Sequence, residues 1–103
     1  MKILGYNYRI EIDKTLNELG GVGRHHADRL LIQIAKDLDW QQAESTILHE
    51  ILEALNFAMQ WELPHKDLSA LEATLYQTLK ANGVDLSPLL RNIAEGNNDA
   101  KSN

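Results

Sequence analysis

Three residues near the middle of the chain, His49, Glu50 and Glu53, have the types and spacing of a metal-dependent hydrolytic site. Imidazole and carboxylate groups both bind zinc. Four apart on a helix, His49 and Glu53 project from adjacent turns of one face, so both can reach one ion. Glu50, about 100° further round, lies beside that ion without binding it. In zinc hydrolases a carboxylate at that station is the general base, taking the proton from the water that attacks a carbonyl.

Such a site requires a helix. Ile47, Ile51, Leu55 and Ala58, with Leu48, Leu52 and Met59, recur three and four apart. They predict a helix beginning near 40–42 and ending before Leu63-Pro64, because the residue before proline is driven out of helical geometry. Its apolar residues cover more than half the circumference, so most of it is expected to be buried. The remaining polar stripe is narrow: Asn56, His49, Gln60 and Glu53, with Phe57 and then Glu50 just beyond. It contains neither Lys nor Arg and suits a cleft better than bulk water.

A second helix is predicted from about His65 to Ala81, with Leu68, Leu71, Leu75 and Leu79 as its buried stripe and Asn82-Gly83 as a left-handed stop. The short connection makes the two helices antiparallel neighbours. His65, Glu72 and Tyr76 share one side of the second helix, and each is a candidate to face the first. Straight antiparallel packing, at about 1.5 Å of rise per residue, favours Glu72 as a third ligand to the ion. His65 would require the first helix to end early or the hairpin to splay. Tyr76 could donate a hydrogen bond to a developing oxyanion, although an aromatic residue beside a leucine stripe also fits the core.

Upstream, Tyr6, Tyr8, Ile10 and Ile12 alternate with Asn7, Arg9 and Glu11, the period of a half-buried strand. Gly20, Gly21 and Gly23 then punctuate the chain, and His25 to Ile34 reads as a strand or hairpin arm. Ser87-Pro88 opens a short third helix running to about Glu95. The expected architecture is α+β: a small antiparallel sheet of two or three strands, then a two-helix antiparallel hairpin and a short C-terminal helix. Residues 1–96 are expected to form one domain, with 97–103 as a disordered tail.

Composition narrows the function classes. A net charge of -5 over 103 residues offers no basic stripe for nucleic acid. Between Lys36 and Lys66 there is no basic residue, so this region is expected to meet a cationic or neutral partner. The absence of cysteine excludes thiolate ligands and a cysteine nucleophile. No segment approaches the roughly 20 apolar residues of a membrane span, and the first residues lack a signal-peptide pattern, so a cytoplasmic location is expected. Gly20-Gly21-Val22-Gly23 lacks the Lys of a phosphate-binding loop, and no nucleophile elbow is present.

The run Ser45-Thr46-Ile47-Leu48-His49-Glu50-Ile51-Leu52-Glu53-Ala54-Leu55-Asn56, then Leu63-Pro64-His65 and Leu75-Tyr76-Gln77-Thr78-Leu79-Lys80, is similar to small phage- and prophage-encoded zincin-like proteins. These resemble minimal relatives of the ImmA/IrrE-type metallopeptidases. The likeness covers the helical hairpin, roughly a third to a half of the chain. It implies a minimal zincin-like fold, one zinc ion held by His49, Glu53 and His65, Glu50 as general base, and a peptide bond as substrate. In preferring His65 to Glu72 it departs from straight helix packing. The zincin pattern is His-Glu-x-x-His, and Glu53 stands where the second histidine belongs. Zincins of the gluzincin kind use two histidines and one glutamate, so His49, Glu53 and His65 restore that set in another order. The alternative is a relic that keeps the fold and has lost metal or catalysis.

Other polar and aromatic residues have plainer expectations. At most one of His25 and His26 can face a given side of a strand, and a surface turn is the favoured reading for both. Asn56 and Gln60 could orient a ligand or serve as polar filler. Trp40, Phe57 and Trp61 read as core or interface anchors. The rival to a hydrolase is a non-catalytic interaction module that uses the same hairpin without metal and buries part of its first helix against a second copy of the chain or another protein.

Overall fold

Alternating residues from Tyr6 onward do form extended chain, but in two pieces. A computed structural model describes residues 1–16, 21–91 and 93. In it Lys2–Ile3 (β1) pairs with Tyr6–Asn7 (β2) through a tight turn at Leu4 and Gly5, both at positive φ (51° and 84°). That is the backbone hand a two-residue hairpin favours. The chain then leaves this ladder at Tyr8 and enters Arg9–Asp13 (β3) in a second sheet. Because the run is shared between two sheets, its outer residues escape burial: Tyr8 and Ile10 are buried, whereas Tyr6 and Ile12 are exposed.

The second sheet has the order β3-β5-β4, with Gly23–His26 as β4 and Leu31–Ala35 as β5. The expected arm from His25 to Ile34 is thus a hairpin, its strands joined by a short 3-10 turn over Ala27–Arg29 and a left-handed Leu30. β4 and β5 are antiparallel, as expected. β3 and β5 are parallel, which a pattern of alternating residues cannot reveal, since strand direction depends on the path between strands. β5 is central and buried on both faces, and β4 is a terminal strand.

Trp40–Met59 (α1) matches the predicted helix. It begins with a reciprocal capping box, in which the Asp39 carboxylate accepts from the Gln42 backbone N–H (2.8 Å) and the Gln42 side chain accepts from the Asp39 N–H (3.4 Å). It stops at Gln60 in the left-handed region. The Asn56 side chain then closes the connection by donating to the Leu63 carbonyl (3.2 Å) and accepting from the Leu63 N–H (3.0 Å). His65–Ala81 (α2) follows and ends with Gly83, the left-handed residue of the predicted stop.

Ala43, Ile47 and Ala54 of α1 join Ile3, Tyr8, Ile10, Ile32 and Ile34 in one core, with Leu89, Leu90 and Ile93 packed against its margin. Residues 88–91 and 93 are helical, in line with the Ser87-Pro88 start. The expected end of that helix at Glu95 and the tail 97–103 lie outside the described residues. α2 rests on α1 rather than on the sheet. Of its leucine stripe only Leu68 is fully buried, and Leu71 is exposed. Trp40, Phe57 and Trp61 are also exposed, so they are not core anchors. Among the described residues no helix is long and apolar enough to cross a membrane.

The capping box is the least ambiguous local contribution to α1. Asp39→Ala is expected to cost about 1 kcal/mol, read as a lower urea midpoint with an unchanged slope.

Candidate metal centre

With its apolar side on the sheet, α1 turns His49, Glu50 and Glu53 toward the space between β4 and α2. Glu50 points inward and is 6% exposed, while His49 and Glu53 are half-buried at the margin. The start of α2 supplies His65. One donor atom each from His49, Glu53 and His65 lies within 4.8 Å of the others. Glu53 Oε2 is 3.5 Å from His49 Nε2 and 3.2 Å from His65 Nδ1. Tetrahedral zinc with bonds of about 2.0–2.1 Å separates its ligand atoms by about 3.3 Å, close to both separations that Glu53 makes, so two histidines and one glutamate suit such an ion in number and type, with Glu53 at ligand spacing from each imidazole. The hairpin achieves this because α1 ends at Met59 and a five-residue connection follows, letting His65 reach back across to Glu53.

The outer nitrogens of both imidazoles face polar groups. His49 Nδ1 is 4.0 Å from Glu72 Oε1, and Glu72 Oε2 accepts a hydrogen bond from the Ser45 hydroxyl at 2.8 Å. His65 Nε2 is 3.4 Å from Ser69 Oγ. Partners of this kind orient imidazoles whose other nitrogen binds metal. Glu72 therefore sits behind His49, on the side away from Glu53, rather than in the triad. The His49 and His65 rings meet edge to face with centroids 5.0 Å apart.

Two open clefts flank this cluster, of about 520 and 400 Å³, and both reach His49, Glu50, His65 and Gly23. The glycine is there because α1 passes so close to β4. A Cβ on Gly23 would stand 2.7 Å from Thr46 Cγ2 and 2.8 Å from Glu50 Oε2. Burial, and secondarily the charge of Glu53, pushes the Glu50 carboxyl from its ordinary 4.5 up to about 7. A carboxyl poised near neutrality can both take and return a proton.

Other candidates fall elsewhere. The Tyr76 hydroxyl donates to the buried Glu44 carboxylate at 2.8 Å and borders neither cleft. Lys80 Nζ approaches the same carboxylate at 3.6 Å, so Glu44, Tyr76 and Lys80 tie α1 to α2. Burial, then the bond to Glu44, lifts the Tyr76 phenol to about 12. Asn56 borders one cleft, but its amide is engaged by Leu63. Gln60 is the C-cap of α1. His26 pairs with Gln33 at 2.7 Å. His25, by contrast, borders a cleft and meets the Tyr8 hydroxyl, although sequence alone favoured a surface turn for it. Sequence reading also did not single out Gly23. Its position three residues after Gly20 and two before His25 suggested only punctuation.

Comparison with models of known protein families, with characterised proteins and with solved structures finds no match for this chain.

Two predictions follow from the packing of Glu50. Gly23→Ala is expected to destabilise the protein by about 1–3 kcal/mol in chemical denaturation, since Thr46 is stiff and Glu50 must leave its site. The second is a pH dependence. A folded-state pKa above the unfolded one means the folded chain holds the proton more tightly. The associated stability is full below about pH 4.5 and is lost as pH rises through about 7, amounting to about 3 kcal/mol. Melts of metal-free protein at pH 5 and pH 8 should show this loss, and Glu50→Gln should remove that component. An unchanged pH slope in the variant would rule out Glu50 as its source.

Proposed function

We propose that this chain is a zinc-dependent, peptidase-like hydrolase of the phage or mobile-element zincin type, with His49, Glu53 and His65 as metal ligands and Glu50 as general base. The observation that carries this reading is the convergence of three donor atoms, two from adjacent turns of α1 and one from the start of α2, within 4.8 Å beside a buried carboxyl. Bound there, zinc would supply Lewis acidity, polarising a substrate carbonyl and easing deprotonation of the attacking water. Glu50 takes that proton and later returns it to the departing amine. Its raised pKa suits both transfers. Each imidazole has a polar neighbour at its outer nitrogen, Glu72 at 4.0 Å from His49 and the Ser69 hydroxyl at 3.4 Å from His65, where tightening of these contacts would orient the rings.

A peptide is the favoured substrate because the terminal strand β4 and the two residues before it line the clefts, Gly21 to Gly23 on one side and Gly23 to His25 on the other. A terminal strand offers backbone donors and acceptors to an extended chain laid beside it. The second reading, a non-catalytic interaction module, draws on Phe57, Met59 and Trp61, large apolar side chains that are each exposed at or just beyond the end of α1.

Elemental analysis of purified protein separates these readings. Near-stoichiometric zinc is expected in the wild type after zinc is offered, with loss in His49→Ala and Glu53→Ala. Glu50→Gln should keep the metal and lose peptide hydrolysis by several orders of magnitude. Failure of the wild type to take up metal would leave the interaction module.

A further inference from the structure

Tyr8 and His25 form a polar pair beside the candidate centre that the hydrolytic scheme above does not use. Tyr8, between β2 and β3, is buried, and its hydroxyl lies 3.0 Å from His25 Nε2. His25, on β4, borders the same cleft of about 400 Å³ as His49, Glu50, Glu53 and His65. Phe57 stands edge-on to the imidazole, with ring centroids 6.1 Å apart.

The direction of the Tyr8 bond decides which nitrogen of His25 carries the proton. Burial is the main influence on the His25 pKa and moves it below 6.5, outweighing the opposing charge of Glu53, so the ring is neutral at neutral pH. A neutral imidazole has one acceptor nitrogen and one N–H. His25 Nε2 is the partner of the Tyr8 hydroxyl among the described residues, and a phenol donates readily to an unprotonated ring nitrogen. With Tyr8 as the donor, the ring proton resides on Nδ1. Nδ1 has no partner among the described residues, yet no side-chain nitrogen there is both buried and unpartnered. Nδ1–H is therefore open to solvent, on a residue that borders the cleft.

We infer that His25 is a substrate-binding donor: Tyr8 fixes its tautomer, and its Nδ1–H binds the carbonyl oxygen of a peptide as that oxygen gains negative charge. The inference rests on the hydrolytic function proposed above. In the step it serves, the water oxygen bonds to the carbonyl carbon, the π pair moves onto the carbonyl oxygen, and the water proton passes to Glu50. His25 transfers no proton. Its hydrogen bond strengthens as the charge develops, which lowers the barrier without tightening ground-state binding equally. When the carbon–nitrogen bond breaks, the oxygen pair re-forms the carbonyl and the proton on Glu50 goes to the amine.

Two measurements test this. Nitrogen-15 NMR of the imidazoles in metal-free protein should place the His25 proton on Nδ1, with mixed tautomers in Tyr8→Phe; a wild-type proton on Nε2 overturns the inference. Zinc-loaded protein is then titrated by calorimetry with a phosphinic dipeptide, whose tetrahedral anion presents the same oxygen charge. His25→Phe should weaken phosphinate binding by roughly 10- to 100-fold with zinc affinity unchanged, and His25→Asn, which keeps an N–H donor, should recover part of the loss. Equal phosphinate affinity in wild type and His25→Phe overturns the role of His25 and leaves the metal centre standing. A wild type that takes up no zinc overturns both.

Discussion

The close passage of α1 across β4 is the constraint on which the rest of this structure depends. Ala43, Ile47 and Ala54 bury themselves against Ile10, Ile32 and Ile34, and this burial sets the rotation of the helix about its axis. Once that rotation is set, Glu50 has to point inward and His49 and Glu53 have to lie along the margin. The approach is close enough that a Cβ at residue 23 would meet Thr46 and Glu50 at less than 3 Å. Apolar packing on one side of the helix thus determines the chemistry available on the other.

The second helix completes the arrangement through polar contacts rather than a large apolar interface. Only Leu68 of α2 is fully buried, whereas Tyr76 and Lys80 reach Glu44, Ser45 reaches Glu72, and Glu53 reaches His65. These bonds run in antiparallel order, from the start of α1 with the end of α2 to the end of α1 with the start of α2. Hydrogen bonds are directional, so this ladder fixes the register of the hairpin more tightly than a stripe of leucines would. That register sets Glu72 behind His49 and His65 opposite Glu53. Asn56 contributes at the turn, where its amide satisfies both backbone groups of Leu63.

Charge and burial then divide the carboxylates into roles. Glu44 is buried with a phenol and an ammonium group as partners, which makes it part of the framework. Glu53 stands between two imidazoles at the rim, where a cation would be shared. Glu50 is buried near the charge of Glu53, with no ion pair to a cation among the described residues, and its raised pKa is the physical consequence. The three lie on one helix within ten residues and differ only in what the surrounding fold brings to them.

Period and punctuation along the chain determined a good deal of this. The bounds of α1 and α2 were legible because apolar residues recur at helical spacing and Leu63-Pro64 and Gly83 interrupt it. The sharing of one helix face by His49 and Glu53 was legible because it is a property of the helix alone. The alternation around Tyr8 and Ile10 announced a strand, but the transfer of that strand between two sheets and the parallel pairing of β3 with β5 depend on the path of the whole chain. Straight helix geometry favoured Glu72 over His65, and the placement of His65 beside Glu53 could not be read from it, since that rests on where α1 unwinds and how far the turn splays. Gly23 and the Tyr8–His25 pair carried no periodic signal, because each matters through a neighbour remote in sequence. Sequence by itself determined which residues share an element, since backbone periodicity is local; only the tertiary structure decided which elements face one another, since close packing and hydrogen-bond direction act between distant parts of the chain.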